Sequence, residues 1–248
     1  MRIALISDIH ANFIALEAVL ADIKKQQVDS IICLGDVATI GPQPREVLDR
    51  LRDLGCPCIM GNHENALLAP DKASVFHIAP PLIPSLNWCA SQLSLADLDY
   101  LNSFKSILEI PLDNNNNLLC FHGSPRSNTD VILATTPAEV LEGYLEGYAN
   151  QVMAGGHSHI QMLRQHEGKI IVNPGSVGSP FLKTPPPGVE PILMPWSEYA
   201  ILEWRDARIS LVLQRVSYEV GVYREIISRS NVPIKNWLLQ QYEAKGNQ

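Results

Sequence analysis

Residues 1–36 read MRIALISDIHANFIALEAVLADIKKQQVDSIICLGD, and the order of patterns in this stretch decides the fold class. Ile3 to Ile6 is a short apolar run of the kind that forms a buried strand, and it ends at Asp8-Ile9-His10. Asn12 to Lys25 then places Phe13, Leu16, Val19, Leu20 and Ile23 at helical spacing. Ser30 to Leu34 is a second apolar run and stops at Gly35-Asp36. Just beyond, Pro44 to Leu54 predicts a second helix with a proline suited to its first turn, and Pro57 to Met60 predicts a third strand. Strand–helix–strand–helix–strand calls for parallel strands joined by right-handed crossovers.

Residues 64–104 change character. They carry four prolines, several leucines and Trp88, and they predict two or three short helices. They interrupt the strand alternation, so they read as a helical cap inserted into a single domain spanning residues 1–248. Strands return at 106–111 and 117–121, after the turn run Asp113-Asn114-Asn115-Asn116-Asn117. A helix at 137–148 precedes a strand at 151–154. A hairpin pairs 160–165 with 169–172 around His166-Glu167-Gly168-Lys169, and a proline-rich surface loop covers 180–197. A second hairpin pairs 199–204 with 208–214 around Arg205-Asp206, and helices at 218–229 and 234–244 follow. Parallel units early and hairpins late predict an α/β architecture of two facing mixed sheets with helices outside.

Composition narrows the function classes. The chain has 248 residues, 46% apolar and 18% charged, which is ample for a packed core. Net charge is -7 with no basic run, so a broad nucleic-acid-binding surface is not expected. No apolar run approaches the roughly 18 residues of a membrane helix. The first residues meet Asp8 and His10 too soon for a signal peptide, so the expected compartment is the cytoplasm. Five cysteines suggest reduced thiols, and Cys56-Pro57-Cys58 reads as small apolar strand residues rather than half of a zinc site.

Polar motifs sit where strands end. Asp8-Ile9-His10, Gly35-Asp36, Gly61-Asn62-His63-Glu64, His122-Gly123, Gly155-Gly156-His157-Ser158-His159 and Asn173-Pro174-Gly175-Ser176-Val177-Gly178 each follow an apolar strand. Ligands of open α/β sheets bind beyond the carboxyl ends of strands. Of seven histidines, five occupy such positions, and only His77 and His166 do not. Imidazole with carboxylate suits Mn, Fe, Co, Ni or Zn better than Mg. Asp36 has two oxygens with which to bridge two metals, Asn62 adds a neutral oxygen, and His157 with His159 can serve two metals from one turn. Two divalent ions against the carboxylates of Asp8 and Asp36 leave a positive site that attracts phosphate to an acidic protein. A water between such ions loses a proton near neutral pH.

In these motifs, taken in order over residues 1–178, the chain resembles the calcineurin-like metallophosphoesterases, and specifically their small prokaryotic phosphoesterases. The resemblance implies a four-layer αββα sandwich and hydrolysis of phosphomonoesters or phosphodiesters at two divalent ions, with manganese the first choice. By motif, Asp8, His10 and His159 would hold one ion, Asn62, His122 and His157 the other, and Asp36 would bridge. His63 would stand over the leaving oxygen and give it a proton or a hydrogen bond. Glu64 either orients His63 or opens the next helix. Asn173, Gly175 and Ser176 are candidates for phosphate contact through the backbone, against a plain turn. Arg126 is a further candidate, against a surface arginine. The Asp-Arg-Gly of eukaryotic-type Ser/Thr phosphatases is missing, since Val37-Ala38-Thr39-Ile40-Gly41 stands there, which disfavours a protein phosphatase. A non-catalytic scaffold with this fold has little reason to retain the full His/Asp set. The expected partner is therefore a small phosphorylated substrate, with aromatic residues of 64–104 (Phe76, His77, Trp88, Tyr100) either lining its pocket or filling a small helical core.

Overall fold

The computed structural model describes residues 1–186 and 188–243. Pro187, inside the proline-rich loop, and Ala244, at the end of the expected last helix, lie outside the described residues. The architecture is the expected four-layer sandwich of two mixed sheets between helices. Strand β1 (Arg2–Ile6) pairs in parallel with β2 (Ser30–Cys33) and antiparallel with β8 (Trp196–Arg205), which pairs with β9 (Arg208–Ser217). The facing sheet runs in the order β3 (Leu108–Pro111), β4 (Asn117–Cys120), β5 (Val152–Ala154), β7 (Lys169–Asn173) and β6 (Met162–His166). Its central three strands are parallel.

Alternation of side chains explains the layers. Ile3 and Leu5 of β1 face the second sheet and pack with Leu118, Cys120, Val152, Val172 and Leu202. Ala4 and Ile6 face the other way, against α1 (Phe13–Ile23) and α2 (Pro44–Leu54). A strand buried on both faces reads as an unbroken apolar run, as Ile3 to Ile6 does. The side chain of Asn12 caps α1 by accepting from the Ala15 N–H at 3.1 Å. Helix α2 opens on Pro44 and closes on Gly55, whose φ of 63° is the left-handed geometry that glycine tolerates.

Three further helices, α3 (Asn62–Leu68), α4 (Ile83–Gln92) and α5 (Leu95–Asn102), contribute Ala66, Leu67, Leu86, Cys89 and Leu101 to the same cluster as α1 and α2. On the opposite face, α6 (Ala138–Leu145) packs Leu141 and Leu145 over Leu119, Met153 and Ile171. Helices α7 (Val220–Arg229) and α8 (Lys235–Gln241) close the chain around Tyr223, Ile227 and Leu238.

Three local expectations change. Pro57 to Met60 is not a continuous strand: it makes single parallel bridges, Cys58 with Cys33 and Ile59 with Lys105. Pro57 has no N–H to add to a ladder, and the segment divides its bonds between two neighbours. The loop at 180–197 is shorter than expected, because Trp196 and Ser197 already belong to β8 and Phe181 bridges Leu193. The last hairpin turns at Asp206-Ala207, both at positive φ, as a two-residue turn between twisted strands requires.

Candidate metal centre

Because β1, β2, β4, β5 and β7 are mutually parallel within their sheets, their carboxyl ends deliver five loops to one end of the sandwich. The loops are stitched to one another by backbone bonds. The Asp8 N–H donates to the Gly35 carbonyl at 2.9 Å, the His10 N–H to Asp36 at 3.0 Å, and the Gly156 N–H to His122 at 2.7 Å. The structure thereby brings Asp8, His10, Asp36, Asn62, His63, His122, His157 and His159 together, nearly all of them buried. Ligand atoms lie within 4.8 Å of one another in each of three groups: Asp8 with His10 and His159, Asp36 with His122 and His157, and His10 with Asp36 and His63.

Each carboxylate divides its oxygens. Asp8 Oδ2 accepts from the His157 N–H at 3.0 Å, and Oδ1 is left 3.3 Å from His159 Nε2. Asp36 Oδ1 accepts from the His63 N–H at 3.1 Å, while Oδ2 faces His122, His10 and His63 at 3.2, 3.9 and 4.0 Å. The rings are oriented from behind. His122 Nδ1–H donates to the Leu34 carbonyl and His159 Nδ1–H to the Ser179 carbonyl, both at 2.7 Å. A carbonyl only accepts, so in the neutral rings Nε2 carries the lone pair and points it into the cluster.

The donor set fits divalent cations. Asp8 Oδ1, Asn62 Oδ1 and His122 Nε2 are buried and take no hydrogen bond from the described residues. Buried polar atoms are seldom left so. Asn62 Nδ2 donates to the Phe76 carbonyl at 2.9 Å, which fixes the amide and leaves its buried oxygen free of any hydrogen bond from the described residues. The Nε2 atoms of His10 and His159 are 3.0 Å apart, a spacing that two nitrogens sharing one ion at about 2.0–2.1 Å can adopt.

Charge in the protein alone is sorted unevenly. Burial pushes the Asp8 carboxyl up, but His159 and His122 outweigh it and hold it down at about 2. Burial disfavours the His122 cation, yet Asp36 and Asp8 lift the ring to about 10. Desolvation and the neighbouring His122 bring the half-buried His157 down to about 4. His10 is held well below the usual range by burial and by His159 and His63.

The remaining sequence candidates are placed differently. Asn173 Nδ2 donates to the Gly156 carbonyl and the Ser158 hydroxyl, and its Oδ1 accepts from the Gly175 N–H. Ser176 Oγ donates to the Asp8 carbonyl at 2.6 Å and accepts from the Ser179 N–H. The Val177 and Gly178 N–H groups bond to Ser7 and Asp8. This turn therefore grips the Asp8 loop and has few N–H groups left for a ligand. Gly178 is needed there because a Cβ would run into the Ile9 carbonyl. Arg126 donates to the Gly143 carbonyl and pairs at 3.6 Å with Glu146, both of α6 or its end, and half its side chain is exposed.

Two polar residues matter more than the sequence indicated. Glu64 opens α3, the second of its two expected roles, by accepting from the Gly61 N–H (2.9 Å) in the first turn, and it also accepts from the N–H groups of Asp36 (2.7 Å) and Val37 (2.8 Å), tying the loop after β2 to the start of α3. Burial and the nearby Asp36 charge raise it to about 7. Thr39 stands in no motif of the sequence, yet its buried hydroxyl lies between His10 and His63. Its only sequence signal is a polar residue inside the run Val37-Ala38-Thr39-Ile40.

Residues 1–190 match the family model of the calcineurin-like phosphoesterase superfamily domain. An uncharacterized protein of Methanocaldococcus jannaschii is 30% identical over 257 aligned residues, covering 95% of each chain. A metallophosphoesterase from Sphaerobacter thermophilus is 28% identical, with 98% of both chains covered and a TM-score of 0.75. A hypothetical protein of Pyrococcus horikoshii, at 18% identity, shares the fold over 100% of this chain and 99% of its own, with a TM-score of 0.80. The family and the His/Asp cluster together support phosphoester hydrolysis with divalent metal ions. On the match to residues 1–190, the chain belongs to the calcineurin-like phosphoesterase superfamily.

Proposed function

We propose that the chain hydrolyses small phosphate esters at a pair of divalent transition-metal ions, manganese being the first choice. The observation that carries this reading is the set of buried ligand atoms, Asp8 Oδ1, Asn62 Oδ1 and His122 Nε2, that make no hydrogen bond among the described residues, with His159 3.3 Å from Asp8 Oδ1 and Asp36 3.2 Å from His122 Nε2 as the facing ligand groups. Asp8, His10 and His159 would hold one ion, and Asn62, His122 and His157 the other. Asp36, which lies in a group with His10 and His63 and in another with His122 and His157, would be shared between the two ions. Such ions supply positive charge for the phosphoryl oxygens and a water of lowered pKa. The protein's part is orientation: carbonyls behind His122 and His159 hold Nε2 forward, and His63 stands beside the cluster to assist the leaving oxygen. Asn173 and Ser176 act on this reading by positioning the Asp8 and His157 loops, and Arg126 stays outside the chemistry.

The same reading takes residues 1–248 as one domain, with 64–104 bordering the site. Within that segment the Phe76 carbonyl holds the Asn62 amide, and the Ser85 hydroxyl of α4 donates to the Ile40 carbonyl at 3.0 Å. The test uses metal-free protein with an aryl phosphodiester and an aryl phosphomonoester, before and after adding Mn. Turnover of at least one ester should appear with the metal. No turnover with Mn, Fe, Co, Ni or Zn would refute the proposal.

A further inference from the structure

We propose that Thr39 is a positioning residue that fixes His63 in the tautomer carrying its proton on Nε2, so that His63 acts as a neutral hydrogen-bond donor toward the substrate. The inference deepens the hydrolase reading above and rests on it for the meaning of the donated hydrogen bond.

Thr39 is fully buried. Its Oγ1 lies 3.1 Å from His10 Nδ1 and 2.9 Å from His63 Nδ1. A hydroxyl has one hydrogen, so between two neutral imidazoles it donates to one ring nitrogen and accepts from the other. His10 settles the direction. Its Nε2 faces His159 Nε2 at 3.0 Å and the carboxylates of Asp8 and Asp36 at 3.9 Å each, and it is the only one of its two nitrogens that looks into the donor cluster. With the lone pair on Nε2, the His10 proton sits on Nδ1 and is donated to Thr39. The Thr39 hydrogen then points to His63 Nδ1, which must accept. The one proton of neutral His63 is left on Nε2, the nitrogen 4.0 Å from Asp36 Oδ2. The chain His10 Nδ1–H to Thr39 O–H to His63 Nδ1 thus carries the orientation of one ring to the other without moving a proton. No proton changes hands in the role assigned to His63: it donates a hydrogen bond to the phosphoryl or leaving oxygen and remains neutral.

Valine has the shape of threonine without the hydroxyl, and serine keeps the hydroxyl without the methyl. The experiment compares wild type, Thr39→Val and Thr39→Ser as full-length protein saturated with Zn, which is diamagnetic. Two-bond ¹⁵N–¹H correlation spectra report the tautomer of each histidine, and His63→Asn assigns the His63 signals. Wild type and Thr39→Ser should show His63 protonated on Nε2, and Thr39→Val should show a mixture or the Nδ1–H form. In parallel, at saturating metal, Thr39→Val should lower kcat about tenfold or more with KM little changed, and Thr39→Ser should restore most of it. An Nδ1–H or doubly protonated His63 in wild type overturns the proposal, as does an unchanged tautomer in Thr39→Val. Because the tautomer is read without turnover, the expected spectra in a wild type inactive with every one of Mn, Fe, Co, Ni and Zn would sink the hydrolase reading and uphold the tautomer that Thr39 fixes.

Discussion

At the scale of single residues, the site is marked by backbone strain. Asp8, His10, Asp36, His157 and His159 all have positive φ, between 48° and 67°. Left-handed backbone is unfavourable for residues with a Cβ, by about 1–3 kcal/mol each when the surroundings impose it. Ile40, at φ 71°, is a sharper case because it is β-branched. Such strain persists only where neighbours over-determine it, and here backbone bonds between loops hold Asp8, His10, Asp36 and His159, the Asp8 carboxylate holds the His157 N–H and the Ser85 hydroxyl holds the Ile40 carbonyl. What the strain achieves is direction, since one sharp bend per loop turns a side chain into the common centre. Asp36 has the most to lose from substitution. Its Oδ2 faces three imidazoles, and an Asp36→Asn amide directed there offers hydrogens where a cation would need a lone pair. If wild type loads the two ions proposed, elemental analysis of Asp36→Asn under the same loading should find less than one ion per chain. Retention of both would contradict the shared role of this carboxylate.

At the scale of elements, the parallel strands bring the loops to one end, but tertiary clamps set their spacing. Glu64, fully buried in the first turn of α3, is the clearest clamp, holding N–H groups of Asp36, Val37 and Gly61 at 2.7–2.9 Å. Glu64→Gln keeps the shape and turns one acceptor into a donor that faces an N–H. The variant should lose about 1–3 kcal/mol of stability in denaturant unfolding, the cost of leaving a buried donor unpaired. Unchanged stability would mean that the loops hold themselves. Contacts of this kind also set the limit of what the sequence reveals. Strand ends and helix periods are local, so Asp8, His10, Asp36 and His122 were legible as a group from their place after apolar runs. Helix α2 was legible to the residue, because Pro44 and Gly55 punctuate it. Beyond the Gly61 N–H that Glu64 holds within its own helix turn, Glu64 and Thr39 act on partners 24 to 29 residues away, and no local pattern encodes such a bond. The segment 57–60 escaped for the same reason, since its pairing depends on Lys105 as much as on β2.

At the scale of the whole molecule, the centre joins the two sheets. Asp8, His10 and Asp36 follow strands of the first sheet, whereas His122, His157 and His159 follow strands of the second. Ions held by both groups would cross-link the sandwich at one end, and a ligand that binds only the folded chain stabilises it by mass action, about 4 kcal/mol at a thousandfold excess over Kd. The sign of the pH dependence follows from His122. In the metal-free protein burial lowers this ring's pKa, but Asp36 more than compensates and lifts it to about 10, above the ordinary histidine value near 6.5. That raised value stabilises the metal-free fold most fully below about pH 6.5, and the contribution fades as pH rises toward 10. On the proposed ligand set a metal ion would need the His122 Nε2 lone pair, so loading near pH 7 would expel the proton and become easier as the pH rises. Both effects act in one direction: the difference in Tm between Mn-loaded and metal-free protein should widen from pH 6 to pH 9. Calorimetric titration near pH 7 in buffers of differing ionisation enthalpy should also detect protons released on loading. A Tm difference that stays flat or narrows over that range, with no proton release, would show that His122 is neutral before metal arrives and that Asp36 does not hold its charge.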